Sequence, residues 1–236
     1  MKKLKDRTLN FITAIILIAL TVGIAGVCFI PDDVVFISGN NTYEPIYHGK
    51  IDGNKVCITF NVYEGTDIVN GILDVLKKYK AKATFFVGGC WADDNEEVLL
   101  RILEEGHELG SHGYFHKDHA KLDERGNAEE IITNENLVKR ITGFKMTLFA
   151  PPSGSYSLTT LKVAENLGYK TIMWSKDTVD WRDKNEKIVY NRATKDIAAG
   201  DIVLMHPKSH TLEALPDILS YYNSLGLETV TVSECI

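Results

Sequence analysis

The chain reads as an α/β protein whose parallel sheet closes into a distorted barrel. Two observations predict this. Short apolar runs alternate with helical periods from Lys55 to the C-terminus, the pattern of a parallel sheet covered by helices. Seven such runs fall within about 180 residues, which favours barrel-like closure over an open sheet.

The elements follow in order. Val56–Phe60 is the first strand, and the helical period of Ile68, Ile72, Leu73, Val75 and Leu76 spans 67–79. A strand over 83–87 ends at Gly88-Gly89, a helix covers 96–105, and a short strand covers 108–111. An amphipathic helix over 122–142 leads to a strand at 146–149 that stops at Pro151-Pro152. Helices at 158–167, 187–199 and 211–225 are followed by Gly168, Gly200 and Gly226, as C-terminal caps. Strands at 170–175, 201–205 and 228–232 complete the count of seven.

The N-terminus has a different character. Lys2, Lys3, Lys5 and Arg7 precede an uncharged stretch, 11–30. About 20 residues of helix span the ~30 Å hydrocarbon layer, whereas a cleaved signal has an apolar region of about 7–15. The expectation is a basic cytoplasmic segment (1–10) and one N-terminal transmembrane signal anchor (11–30). A linker and lead-in (31–53) and a globular domain (54–236) outside the cytoplasmic membrane follow. The net charge of −6, with no basic stretch interleaved with aromatics, argues against nucleic acid. Cys28, Cys57, Cys90 and Cys235 form no CxxC; Cys57 and Cys235 read as small core residues.

In parallel α/β folds chemistry collects at the C-terminal ends of strands. There this chain places Asn61, Tyr63, Glu64 and Asp67, then His112 and His116, then Ala150-Pro151-Pro152, then Asp177, Asp180 and Trp181, then His206. Neutral imidazoles are common metal ligands, and His112 and His116, four apart in a turn, are able to converge on one ion. His206 suits a general acid, with Asp177 fixing its tautomer. Trp181 suits a platform for a sugar ring. His107 reads as structural and His119 as exposed.

These segments resemble the NodB-homology polysaccharide deacetylases, carbohydrate esterase family four, over about residues 53–234. The family's Thr-Phe-Asp-Asp-Gly corresponds to Thr59-Phe60-Asn61-Val62-Tyr63-Glu64-Gly65. Its His-[Ser/Thr]-x-x-His looks like His112-Gly113-Tyr114-Phe115-His116, and its Arg-x-Pro-x-Gly looks like Ala150-Pro151-Pro152-Ser153-Gly154. Its Asp-x-x-Asp-Trp is similar to Asp177-Thr178-Val179-Asp180-Trp181, and its Leu-x-His to Leu204-Met205-His206. The first-strand variant and the N-terminal apolar segment look most like the sporulation-associated branch, which implies a spore envelope as one location. The resemblance implies a NodB-type barrel and metal-assisted hydrolysis of the N-acetyl amide of a cell-wall or other N-acetylated glycan, such as peptidoglycan, with zinc as the expected divalent metal. It makes His112 and His116 metal ligands, His206 and Asp177 the acid and its orienter, and Trp181, Pro151, Tyr63 and Leu204 the substrate-lining residues.

The chain departs from that pattern. Asn61 stands where the family has its base, and an amide accepts no proton at neutral pH. Val62 stands where the family has a metal-binding aspartate, and Ala150 where it has an arginine. Losing the aspartate and arginine together avoids an unpaired buried charge, which costs roughly 3–5 kcal/mol. Glu64, which precedes Gly65 as the family's second aspartate precedes its glycine, is the expected replacement ligand. The retained His112, His116, Asp177 and His206 favour an enzyme. The alternative is a catalytically silent glycan-binding or structural envelope protein.

Overall fold

The structure, a computed structural model, describes residues 43–236. The basic N-terminus, the expected anchor and the first part of the lead-in, to residue 42, lie outside the described residues. Among the described residues no helix is long and apolar enough to cross a membrane.

Strand β1 (Lys55–Val62) is the centre of the sheet, and every residue after Lys55 is buried. It pairs in parallel with β2 (Thr84–Val87), β7 (Ile202–Met205) and β8 (Glu228–Val230). From β2 the sheet continues through β3 (Glu108–Ser111) and β4 (Leu148–Phe149) to β5 (Lys170–Thr171), and from β7 to β6 (Lys176–Asp177). All these ladders are parallel.

The two faces of β1 have different surroundings, because side chains alternate with period two. Val56, Ile58, Phe60 and Val62 pack in the main core between sheet and helices. Cys57 packs inside the curl of the sheet with Phe86, Leu148, Ile172, Ile202 and Val230. Thr59 and Asn61 share that inner face. Helix α1 (Thr66–Tyr79) covers the outer face with Val69, Ile72, Leu73 and Leu76, each worth about 1.5–3 kcal/mol when fully buried. Helices α2 (Gly89–Asp93), α3 (Glu96–Glu104), α4 (Glu124–Thr142), α5 (Leu158–Asn166), α6 (Glu186–Thr194) and α7 (Ser209–Ser224) continue that layer, and α8 (Val232–Cys235) ends the chain. Their starts are built from side-chain caps where the sequence supplies them: Asp123 accepts from Gly126 N, and Ser157 forms a capping box with Thr160.

Three details differ from the expectation. In place of one strand over 170–175 there are two short ones, β5 and β6, so the described sheet has eight strands where seven were expected. Ile172 N bonds Phe149 O, Met173 N bonds Ile46 O, and Ser175 N bonds Ile202 O, so this segment leaves β4 at its start and joins β7 at its end. The expected closure is not complete: the sheet is a curled half-barrel with β5 and β6 at its two ends and no ladder between them among the described residues. Second, the lead-in is partly structural. Ile46 bridges Ile172 and His48 bridges Asp201, which sets this segment between the two sheet edges; the compact unit begins at Tyr43. Third, α6 stops at Thr194, so Gly200 does not cap it. Gly200, at φ 85°, is instead where the lead-in approaches: a Cβ there would sit 2.8 Å from His48 Nδ1 and 2.9 Å from Gly49 O.

Candidate functional site

The C-terminal ends of β1, β3, β6 and β7 surround a cavity of about 340 Å³. Asn61, His112, His116 and His206 line it, with Tyr63, Trp181 and Leu204 on its walls. A larger depression, about 550 Å³ between α6 and α7, is lined by surface residues such as Glu186 and Asp217 and holds no histidine. The cavity at the strand ends is therefore where the chemistry-bearing residues meet.

His112 leaves β3 fully buried, and its Nδ1 donates to Ala150 O at 2.7 Å. A carbonyl only accepts, so Nδ1 carries the proton and Nε2 is left as the ring's acceptor. Burial, followed by the neighbouring His116, pushes His112 down to about 3, which keeps the ring neutral. His116 lies with its ring centroid 5.0 Å from that of His112 and 4.4 Å from that of Tyr63. Its pKa is also lowered, chiefly by burial. The turn that carries it has His116 at φ 56°, and it is held by Glu130 on α4. That buried carboxylate accepts from Tyr114 N at 2.9 Å and Phe115 N at 2.8 Å and pairs with Lys117 Nζ at 3.1 Å.

His206 follows β7. Its partner is Asp180, not the expected Asp177. Asp180 is fully buried; its Oδ1 takes His206 Nδ1 at 2.7 Å, and its Oδ2 takes both His206 N and Thr211 Oγ1 at 2.7 Å. His210 Nε2 donates to the Asp180 carbonyl at 2.8 Å. Burial pushes the Asp180 carboxyl up, but the bonds from His206 and Thr211 outweigh it and hold the pKa low. Asp177 lines the cavity and caps its own turn, accepting from Val179 N at 2.8 Å. Val179, at φ 54°, turns the chain so that Asp180 folds beneath the histidine.

The remaining predicted positions divide. Tyr63, Trp181 and Leu204 line the cavity as expected, whereas Pro151 is buried behind it and Ser153 and Gly154 take its place on the wall. Trp174 is a further wall residue that the strand reading concealed. His119, expected on the surface, is fully buried; Nδ1 donates to Asn127 Oδ1 at 2.7 Å and the ring lies against Phe149. His107 is structural as expected, accepting from Ala83 N at 3.2 Å.

The donor set does not fit a divalent metal. Glu64 points to solvent, with its side chain 54% exposed, and pairs with Lys208. It does not line the cavity. Val62 faces the opposite side of β1, in the main core. Asn61 Oδ1 is buried without a hydrogen-bond partner, which fits the loss of the arginine at Ala150. Two imidazoles and a neutral amide supply no negative charge. Among the described residues no three His, Cys, Asp or Glu side chains come close enough together to hold an ion.

The pattern of the polysaccharide deacetylase family matches residues 48–172. Protein YlxY of Bacillus subtilis is 34% identical over 81% of this chain, and the peptidoglycan-N-acetylglucosamine deacetylase PgdA of Listeria monocytogenes is 35% identical over 76%. The chain spans 60% of YlxY and 38% of PgdA. The crystal structure of BA3943, a CE4 family pseudoenzyme from Bacillus anthracis, superposes with a TM-score of 0.79 at 33% identity, covering 82% of this chain and 69% of that one.

Proposed function

Since this chain belongs to the polysaccharide deacetylase family, we propose that it holds an N-acetylated cell-wall glycan, peptidoglycan foremost, in the strand-end groove without hydrolysing it. The observation that carries this reading is the pairing of Glu64 with Lys208 outside the cavity, which leaves His112 and His116 beside a neutral Asn61. Hydrolysis of an amide needs an activated water and a stabilised oxyanion. Here no carboxylate stands at the base position, and no third ligand completes a metal site.

The groove keeps what binding needs. Trp181 is 54% exposed and Tyr63 40% exposed at the rim, and Phe115 adds a third exposed ring on the His116 turn. Exposed aromatic faces bury sugar C–H surface at low conformational cost. The pseudoenzyme relative supports this reading, and the deacetylase relatives support the choice of glycan. We place the domain outside the cytoplasmic membrane, anchored by residues 11–30, where that glycan lies.

The intact His206–Asp180 pair favours a second reading, hydrolysis of the N-acetyl amide. Calorimetry with N-acetylglucosamine oligomers, followed by an acetate assay on the same samples with added zinc, separates the two. Binding lost in Trp181→Ala, with no acetate above buffer, supports the binding role. Catalytic acetate release sinks it.

A further inference from the structure

We propose that Cys57 and Cys235 are a redox pair, which a small-molecule or protein disulfide oxidises to a cross-link between β1 and the C-terminal helix. Cys57 lies on the inner face of β1, near its start, and Cys235 packs in the same buried cluster. The two thiols are free, buried and near enough to bias one another's titration, and Cys57 Sγ donates to Thr231 O at 3.6 Å, just before the helix that carries Cys235. β1 meets β8 at Cys57 and Val230, so the register of that ladder brings the last turn of chain to Cys57. Gly49 makes room: a Cβ there would lie 2.5 Å from Cys235 Sγ.

The pair has an order of attack. The neighbouring Cys57 thiol, with Lys55 and Lys50 nearby, holds the Cys235 thiol below its ordinary range, and Cys57 is pushed up in return. Cys235, carried on a short helix and not on the central strand, is the sulfur that attacks the oxidant as its thiolate. That helix has only four residues and opens more easily than a core strand. Attack forms a mixed disulfide and releases one thiol of the oxidant. The Cys57 sulfur then displaces the second. Two protein thiols lose two electrons and two protons, and one oxidant disulfide becomes two thiols.

The bond pins the segment that closes one end of the sheet. Lys50 N also bonds Cys235 O at 2.8 Å, so the lead-in is held by the same helix. The proposal does not depend on what the groove binds.

The test uses the full chain in detergent, treated with oxidised glutathione or with dithiothreitol, quenched in acid, alkylated and mapped by mass spectrometry. The oxidised sample is expected to give a Cys57–Cys235 linked peptide lighter by two hydrogens, with Cys90 alkylated. Reduction is expected to lower the thermal midpoint by about 10 °C, a shift absent in Cys57→Ser and in Cys235→Ser. Recovery of both residues alkylated after oxidation, a stable glutathione adduct on Cys235 without the link, or a bond from either residue to Cys90 would overturn it.

Discussion

Replacing Asp180 tests the assignment of the His206 partner. Its buried carboxylate accepts from His206 Nδ1, His206 N and Thr211 Oγ1. Asp180→Ala leaves those buried donors unpaired, and each costs about 1–3 kcal/mol. Allowing for relaxation, the loss is about 3–6 kcal/mol of unfolding free energy. Asp177→Ala removes one bond, to Val179 N, at a half-buried position, and costs about 1 kcal/mol. Asp180→Asn falls between: its NH2 faces a donor, so His206 must present the other tautomer. Urea-induced unfolding reads the three values. Proton–nitrogen NMR of the imidazole reads the second consequence, because His206 Nδ1 carries a protected proton in the native chain and in Asp177→Ala but not in Asp180→Ala. Equal destabilisation by Asp177→Ala and Asp180→Ala, or a protected His206 proton that survives only in Asp180→Ala, refutes the assignment.

Three more predictions concern His112, Glu64 and Asn61. Stability falls as pH drops below about 6.5, because the unfolded His112 binds a proton that the folded ring, held at about 3, does not. At pH 5 this one residue costs about 2 kcal/mol, and a thermal midpoint unchanged between pH 7.5 and 5 contradicts it. Glu64→Ala breaks an exposed pair with Lys208 and changes stability by about 0–1 kcal/mol; a loss of 3 kcal/mol or more would show that Glu64 has a buried role, in which case the Lys208 pairing is not its resting state. Asn61→Asp puts a carboxylate on the cavity wall shared by His112 and His116 and is expected to raise zinc affinity at least tenfold by calorimetry. Unaltered affinity means the two rings do not converge with position 61.

How far the sequence could be read depended on direction more than on order. His112, His116, His206 and Trp181 were legible because parallel α/β folds gather chemistry at one end of the strands, and the strand ends are visible as apolar runs. Asp177 and Asp180 lie three apart after such an end. Which one reaches His206 depends on a left-handed turn at Val179, a non-glycine residue with no local signature. Glu64 matched a motif by counting, but β1 extends through Val62 and the chain then carries Glu64 out to Lys208. His119 sits among Lys117, Asp118 and Lys121 and reads as exposed, yet a 3₁₀ turn folds it onto Phe149 and Asn127. Glu130 gave no signal, since it is one more acidic residue on a polar helix until the turn it clamps is seen. The lead-in has no periodicity; it pairs through single bridges at Ile46 and His48, which leave no pattern.

Zinc titration of the unmutated full chain, without a tag, decides whether His112 and His116 hold an ion. A neutral amide beside two imidazoles predicts no ion held tighter than about micromolar. One ion per chain bound well below that, and lost in His112→Ala, would contradict the account and return the groove to metal-assisted hydrolysis.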